Sequence, residues 1–231
     1  MVDLSSEQSL RASNSERMPP LENGDCLTSH EFARRYEADT RIKKAELIEG
    51  VVYVASPLRF ESHAEPHGRL ITWLGVYQAF TPTVRLGIEP TIRLDEDNQP
   101  QPDGVLLLPA SMGGTARLTE DDYVEGSPDF VAEVAASSVA IDMNAKLNAY
   151  RRNGVKEYLV WQIFGHQIVW FSLQQGTYVP LAPDANGVVK SQVFPGLWLA
   201  VVSLLQGEMS QVLNVLQAGV SSPEHAAFVQ Q

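Results

Sequence analysis

The chain has 231 residues, 44% of them hydrophobic and 19% charged, a composition that suits one sizeable core and excludes a wholly disordered chain. Seventeen lysines and arginines face 28 aspartates and glutamates, for a net charge of −11. That balance weighs against broad, sequence-independent binding of duplex DNA, but it leaves room for a local basic groove or for cations that offset clustered acids. A single cysteine, Cys26, excludes an intrachain disulfide. No run approaches the roughly 18 apolar residues of a membrane span, and the start shows no apolar core of signal-peptide length, so a soluble cytoplasmic protein is expected.

Residues 1–26 are polar, Ser-rich and aperiodic, and read as a disordered lead. Thr28 followed by Glu31 has the spacing of a capping box and predicts a short helix to about residue 39. In AELIEGVVYVAS, residues 45–56, two β-rich runs flank Glu49-Gly50 and predict a hairpin. Leu70, Ile71, Leu74, Tyr77 and Phe80 have helical spacing, with a helix start near Pro66. Strands are expected at 83–88 and 90–94, and GVLLLP at 104–109 reads as a strand covered on both faces.

Residues 110–128 read as a long acidic loop, followed by a strand at 129–135 and a helix at 141–153 that stops at Gly154. EYLVWQI and HQIVWFSL form a hairpin around Phe164-Gly165, and short strands are expected at 177–181 and 187–193. LLQGEMSQVLNVLQ predicts one terminal helix, with frayed residues after it. The expected organisation is a single domain over 27–218 and a flexible tail over 219–231. The fold class is mixed α/β, with one helical crossover packed on a central sheet.

Three residues raise chemical questions. Asp103 lies between Pro102 and Gly104, where a plain turn residue is also at home. Glu133 sits among Phe130, Val131, Ala132, Val134 and Ala135, and charges are rarely buried unless paired or bound to a metal. An edge strand with Glu133 in solvent is the competing reading. If the strands at 104–109 and 129–135 are neighbours, the two carboxylates meet and repel unless a cation neutralises them. Magnesium or manganese suits such oxygen ligands. Lys146 follows Asp142 by four residues and shares a helix face with Tyr150. It could orient a nucleophile or stabilise developing negative charge, or it could simply pair with Asp142 on a solvated face.

Elsewhere, His63 and His67 are four apart, but Pro66 interrupts a regular helix across both, so polar contacts at the helix start are read ahead of a zinc pair. Trp73, Trp161, Trp170 and Trp198 lie in apolar runs and read as core. SMGG at 111–114 lacks the lysine of a phosphate loop.

Pro102-Asp103, then EVAASS at 133–138, then Asp142-x3-Lys146-x3-Tyr150, then NGVKEYLVW at 153–161, resembles the Uma-type restriction endonuclease family of the PD-(D/E)XK nuclease superfamily. ELIEG at 46–50 and HGRL at 67–70 extend the likeness, which covers roughly residues 28–200. The resemblance implies a restriction-endonuclease-like core, a central mixed sheet flanked by helices with additional β-hairpins. It also implies Asp103 and Glu133 as metal-binding acids for Mg2+ or Mn2+, with the Val134 carbonyl completing the shell.

The superfamily's usual lysine position, two residues after the second acid, is Ala135 here, and the resemblance assigns that role to Lys146 on the helix. Glu46 would supply a further carboxylate, unless it is an outward hairpin residue. Ala136-Ser137-Ser138 stands where the family has Ser-Pro, and Leu159 where it has Trp. The implied function is metal-dependent hydrolysis of phosphodiester bonds in nucleic acid, DNA before RNA, by a homodimer. The acidic net charge motivates the alternative of a non-catalytic binding or regulatory module on the same fold, and a third possibility is a metal-dependent enzyme acting on a small substrate.

Overall fold

The computed structural model describes residues 18–231. Most of the expected lead lies outside these residues. The part within them is tied down rather than loose: Leu21 is buried, and Cys26 bridges to Val51. Helix α1 (Ser29–Ala38) begins as its cap predicts, with the Thr28 hydroxyl accepting from the Glu31 N–H. The Glu31 side chain turns to Arg34 and Arg35. Strands β1 (Ala45–Ile48) and β2 (Val51–Val54) form the predicted hairpin. Glu49 and Gly50 both adopt positive φ, as a two-residue hairpin turn requires.

Helix α2 (Glu65–Phe80) opens earlier than expected, through a wide π-type turn at Phe60–Ala64. Pro66 falls in the first helical turn, where its missing N–H costs nothing. The central sheet is built from β3 (Arg85–Ile88), β5 (Gly104–Leu107), β8 (Phe130–Ala135), β9 (Glu157–Gln162), β10 (Gln167–Gln174) and β11 (Thr177–Pro180). Their order is β11-β10-β9-β8-β5-β3, antiparallel except for the parallel β8–β9 pair. A parallel pair needs a crossover, and α3 (Leu147–Arg152), entered through a π-type turn at Ile141–Lys146, supplies it as predicted.

The two-residue period of β8 divides the core. Phe130, Ala132 and Val134 face α2 and pack with Trp73, Trp170 and Phe194. Val131 and Ala135 face α3 and pack with Tyr150, Tyr158 and Val160. Trp73, Trp161 and Trp170 are buried, as expected, while Trp198 lies half-buried beneath Lys190.

Several expectations change. The run at 90–94 keeps only β4 (Ile92–Arg93), which leaves the main sheet to pair with β7 (Val124–Glu125). With β6 (Arg117–Leu118), these strands give the expected loop at 110–128 a small sheet of its own. After β12 (Val188–Lys190) and β13 (Trp198–Ala200), the terminal helix is two helices, α4 (Val201–Gln206) and α5 (Met209–Val220). Gly207 takes a left-handed conformation and ends the first.

The tail expected to fray forms α6 (Pro223–Val229) instead. Ser222 caps it, and Phe228 and His225 are buried. The His225 ring meets the Thr81 hydroxyl at 2.9 Å, which docks the C-terminus on the end of α2. At Gly219 a side chain would collide with the Gly196 carbonyl, so α5 approaches that backbone as only glycine allows.

Candidate active site

The register of β5 on β8 pairs Gly104 with Ala132. Continued by one residue, it sets Asp103 opposite Glu133, and the alternation of β8 puts Glu133 on the face beneath α3. Both acids are buried, Asp103 at 2% and Glu133 at 4% exposure. Glu133 is therefore not an outward residue of an edge strand, since β8 lies between β5 and β9. Nor is Asp103 only a turn residue. Its Oδ2 accepts the Val134 N–H at 2.6 Å.

Lys146 lies inside the fold, at 4% exposure, and is no solvated helix charge. Its Nζ is 2.9 Å from Glu46 Oε1, 3.0 Å from Glu133 Oε1 and 3.4 Å from Asp142 Oδ1. Glu46 therefore points into the site, where its Oε1 also accepts the Gln101 N–H at 2.7 Å. The Tyr150 hydroxyl, one helical turn beyond Lys146, donates to Glu133 Oε1 at 3.1 Å. Tyr158 donates to the Asp142 carbonyl and holds the wide turn against the sheet. The expected Asp142–Lys146 pair exists, but it is buried and shares its ammonium with two other carboxylates.

The structure brings together Asp103, Glu133, Lys146 and Glu46, all singled out in the sequence. In an extended strand the N–H and C=O of one residue leave on the same edge. The Val134 carbonyl thus faces the gap that its N–H shares with Asp103.

Three further neighbours were not expected here. Lys44 Nζ lies 3.7 Å from Asp103 Oδ1 and 2.9 Å from Glu89. The signal for it is its position two residues before Glu46, on the same side of the strand. His63 Nε2 lies 3.4 Å from Asp103 Oδ1, and His67 Nε2 lies 3.0 Å from the Asp103 carbonyl. The wide turn before α2 brings both rings to one side, with centroids 5.6 Å apart.

The electrostatics follow from crowding. Burial pushes the Glu133 carboxyl well above the usual range, and the neighbouring Asp142, Glu46 and Asp103 carboxylates push the same way against Lys146. Burial also raises Asp142. Lys146 moves well upward: burial opposes its charge, but Glu133, Glu46 and Asp142 outweigh that cost. For Asp103, burial is outweighed by His63, Lys44 and the Val134 N–H, which hold it below the usual carboxylate range. The Asp103 carboxylate in turn raises His63.

The Glu46, Asp103, Glu133 and Asp142 carboxylates face two lysines, Lys44 and Lys146. Asp142 Oδ1 is buried without a hydrogen-bond partner. A hard-oxygen donor set with surplus negative charge fits a divalent cation. Asp103, Glu133 and the Val134 carbonyl could hold it.

Residues 30–202 match the family model Uma2, described as "Putative restriction endonuclease". Among solved structures, the chain is similar to one described as a "putative nuclease belonging to DUF820", from Anabaena variabilis ATCC 29413. Identity is 16% and the TM-score 0.57, over 78% of this chain and 98% of that one. The likeness establishes a shared fold, a mixed sheet flanked by helices of the restriction-endonuclease-like kind. No curated protein matches the chain. Among the described residues, no helix is long and apolar enough to cross a membrane.

Proposed function

The chain belongs to the Uma2 family, and from that premise we propose that it is a metal-dependent endonuclease that hydrolyses phosphodiester bonds of nucleic acid, DNA first. The observation that carries this reading is the meeting of buried Asp103 and Glu133 with a buried lysine at one end of the sheet. Asp103, Glu133 and the Val134 carbonyl hold Mg2+ or Mn2+ in this reading. When bound, that cation supplies Lewis acidity toward a phosphate oxygen. Lys146 is a fixed positive charge that orients the attacking water or stabilises charge developing on the phosphate. Glu46 and Glu133 hold the ammonium from two sides, so it need not reorganise as charge builds. Tyr150 fixes the Glu133 carboxylate by donating to the same oxygen that Lys146 contacts.

Cleavage of supercoiled plasmid with Mg2+ or Mn2+ tests the assignment. Asp103→Asn and Glu133→Gln should each lower the rate by about a thousandfold or more, and chelation by EDTA should abolish it. Undiminished cleavage by Asp103→Asn overturns it. Cutting both strands of a duplex calls for two such sites, so we read the acting form as a homodimer in the cytoplasm. Sedimentation with and without DNA tests that reading.

A second reading, a non-catalytic module on the same fold, draws on the net charge of −11 and on the three carboxylates already gathered around Lys146. Calorimetry with Mn2+ separates the two, because a module without a metal site gives no heat of binding.

A further inference from the structure

Asp103 has two sides. Its Oδ2 belongs to β8 through the Val134 N–H, while its Oδ1 lies 3.4 Å from His63 Nε2 at the start of α2 and 3.7 Å from Lys44 Nζ. There His63, His67 and Asp103 each offer one ligand atom, and the three atoms lie within 4.8 Å of one another. The His63 Nε2 and Asp103 Oδ1 separation of 3.4 Å is close to the spacing of about 3.3 Å that two donors take around one tetrahedral zinc ion. His63 Nε2 is buried and makes no hydrogen bond. Its polar neighbour is Asp103 Oδ1, held at a spacing too long for a good hydrogen bond and suited to two ligands of one ion.

His67 is held differently. Its Nε2 lies 3.0 Å from the Asp103 carbonyl. A carbonyl accepts only from a protonated nitrogen, so this bond leaves the His67 lone pair on Nδ1. A ring nitrogen anchored on a backbone carbonyl is the usual support of a metal-bound histidine.

Pro66 separates the two histidines in sequence, and a straight helix could not start before it without strain. The π-type turn at Phe60–Ala64 solves this. The N–H groups of both His63 and Ala64 bond to the Arg59 carbonyl, so the chain is already helical when it reaches Pro66. The extra width of that turn swings His63 over Asp103 beside His67.

We propose that His63, His67 and Asp103 form a site for a borderline divalent transition-metal ion such as Zn2+, adjoining the oxygen-rich site and sharing Asp103 with it. Two imidazoles and one carboxylate favour Zn2+ strongly over Mg2+, whereas the Glu133 side, all oxygen, suits Mg2+ or Mn2+. The inference deepens the proposed function by naming an imidazole half of the same centre, and it touches that reading only through Asp103.

Calorimetry on the full chain with Zn2+ and, separately, Mn2+ tests it without any activity. Wild type should bind one Zn2+ at this site. The double variant His63→Ala/His67→Ala should lose more than about 100-fold in Zn2+ affinity and keep Mn2+ affinity within about threefold. Glu133→Gln should show the opposite pattern. Should the double variant fold poorly, nitrogen NMR of wild type serves instead: Zn2+ should shift the ring nitrogens of two of the five histidines, His63 and His67. Unchanged Zn2+ affinity in the double variant, or Zn2+ shifts confined to other histidines, overturns the proposal. Zn2+ binding through His63 and His67 in a protein that cleaves no nucleic acid supports this site and counts against the nuclease reading alone.

Discussion

Two buried glutamates lie on adjacent strands, and they are kept in opposite ways. Glu133 on β8 faces α3 and shares its oxygen Oε1 with Lys146 and Tyr150, amid the Asp103, Glu46 and Asp142 carboxylates. Glu157 on β9 faces the other side of the sheet, beside Ser172. It is fully buried too, and it is held by neutral donors: the Ser191 hydroxyl at 2.8 Å, the Gln192 N–H at 2.7 Å and the Val193 N–H at 3.2 Å. Glu157 bonds the segment after β12 to the sheet and needs no counter-charge to do so. Burial alone therefore does not mark the site. Crowding of like charge does, because it has no structural use that neutral donors could not serve more cheaply.

Removing the ammonium should break this contrast most severely. Lys146→Met keeps the length of the side chain and leaves Glu46, Glu133 and Asp142 without the cation they share. Breaking a buried ion pair from one side costs about 3–5 kcal/mol. Urea denaturation at pH 7 in EDTA should show a loss of that order. Adding Glu133→Gln should recover at least about 1 kcal/mol, because it removes one of the stranded charges. A loss below about 1 kcal/mol in the single variant would mean that the cluster relaxes into water, and the contrast with Glu157 would fail.

Glu157 sets the next effect through pH. Burial, opposed by the Ser191, Gln192 and Val193 donors, raises its carboxyl to about 7. The folded state then holds a proton that the unfolded chain releases near pH 4.5. The stability from this group is fully present below pH 4.5 and is lost as pH rises through about 7. Glu157→Gln keeps an acceptor for the two backbone N–H groups and cannot ionise. Relative to wild type it should be near neutral at pH 4.5 and more stable by about 2–3 kcal/mol at pH 8. Parallel urea titrations at the two pH values give the difference directly. A variant equally destabilised at both would show that Glu157 serves as an anion throughout.

The contrast also explains what could be read from the sequence. That Asp103, Glu133 and Lys146 meet was legible from the ordered motifs of the family resemblance, whereas spacing alone left each of them a plain structural reading. Glu46 stood as either inward or outward until the fold pointed it at Lys146. His63 and His67 make the polar contacts expected at the helix start, but that both converge on Asp103 had no local signal, because the π-type turn that brings them there has no simple sequence pattern. Glu157 lay unremarked within an apolar run, since its donors come from a segment more than thirty residues away. The last helix did carry its signal, Ser222-Pro223, a cap followed by an N1 proline. A general expectation of frayed ends outweighed it, while the docking of His225 on Thr81 is invisible to any local pattern. Gly207 likewise lay inside an apolar period that the backbone does not follow.

The smallest test compares the hydroxyl donors of the two glutamates. Tyr150→Phe removes one bond to Glu133, an oxygen that Lys146 also contacts. Ser191→Ala removes the bond to Glu157 and, in the same atom, the acceptor for the Val193 and Phe194 N–H groups. Hydrogen bonds to a charged group are worth about 1.5–3 kcal/mol, and neutral ones about 1 kcal/mol. Of the cost of Ser191→Ala, the bond to Glu157 should supply about 1 kcal/mol at pH 5, with Glu157 protonated, and about 2 kcal/mol at pH 8, where the hydroxyl meets a carboxylate. Tyr150→Phe should cost about 1 kcal/mol, because the ammonium stays in place to hold Glu133. It should do so together with Lys146→Met in a non-additive way, since the two donors share one oxygen. Strict additivity of Tyr150→Phe with Lys146→Met in a double-mutant cycle would show that the two donors act on Glu133 independently, and Glu133 would then be held, like Glu157, by separate local bonds rather than by one charged network.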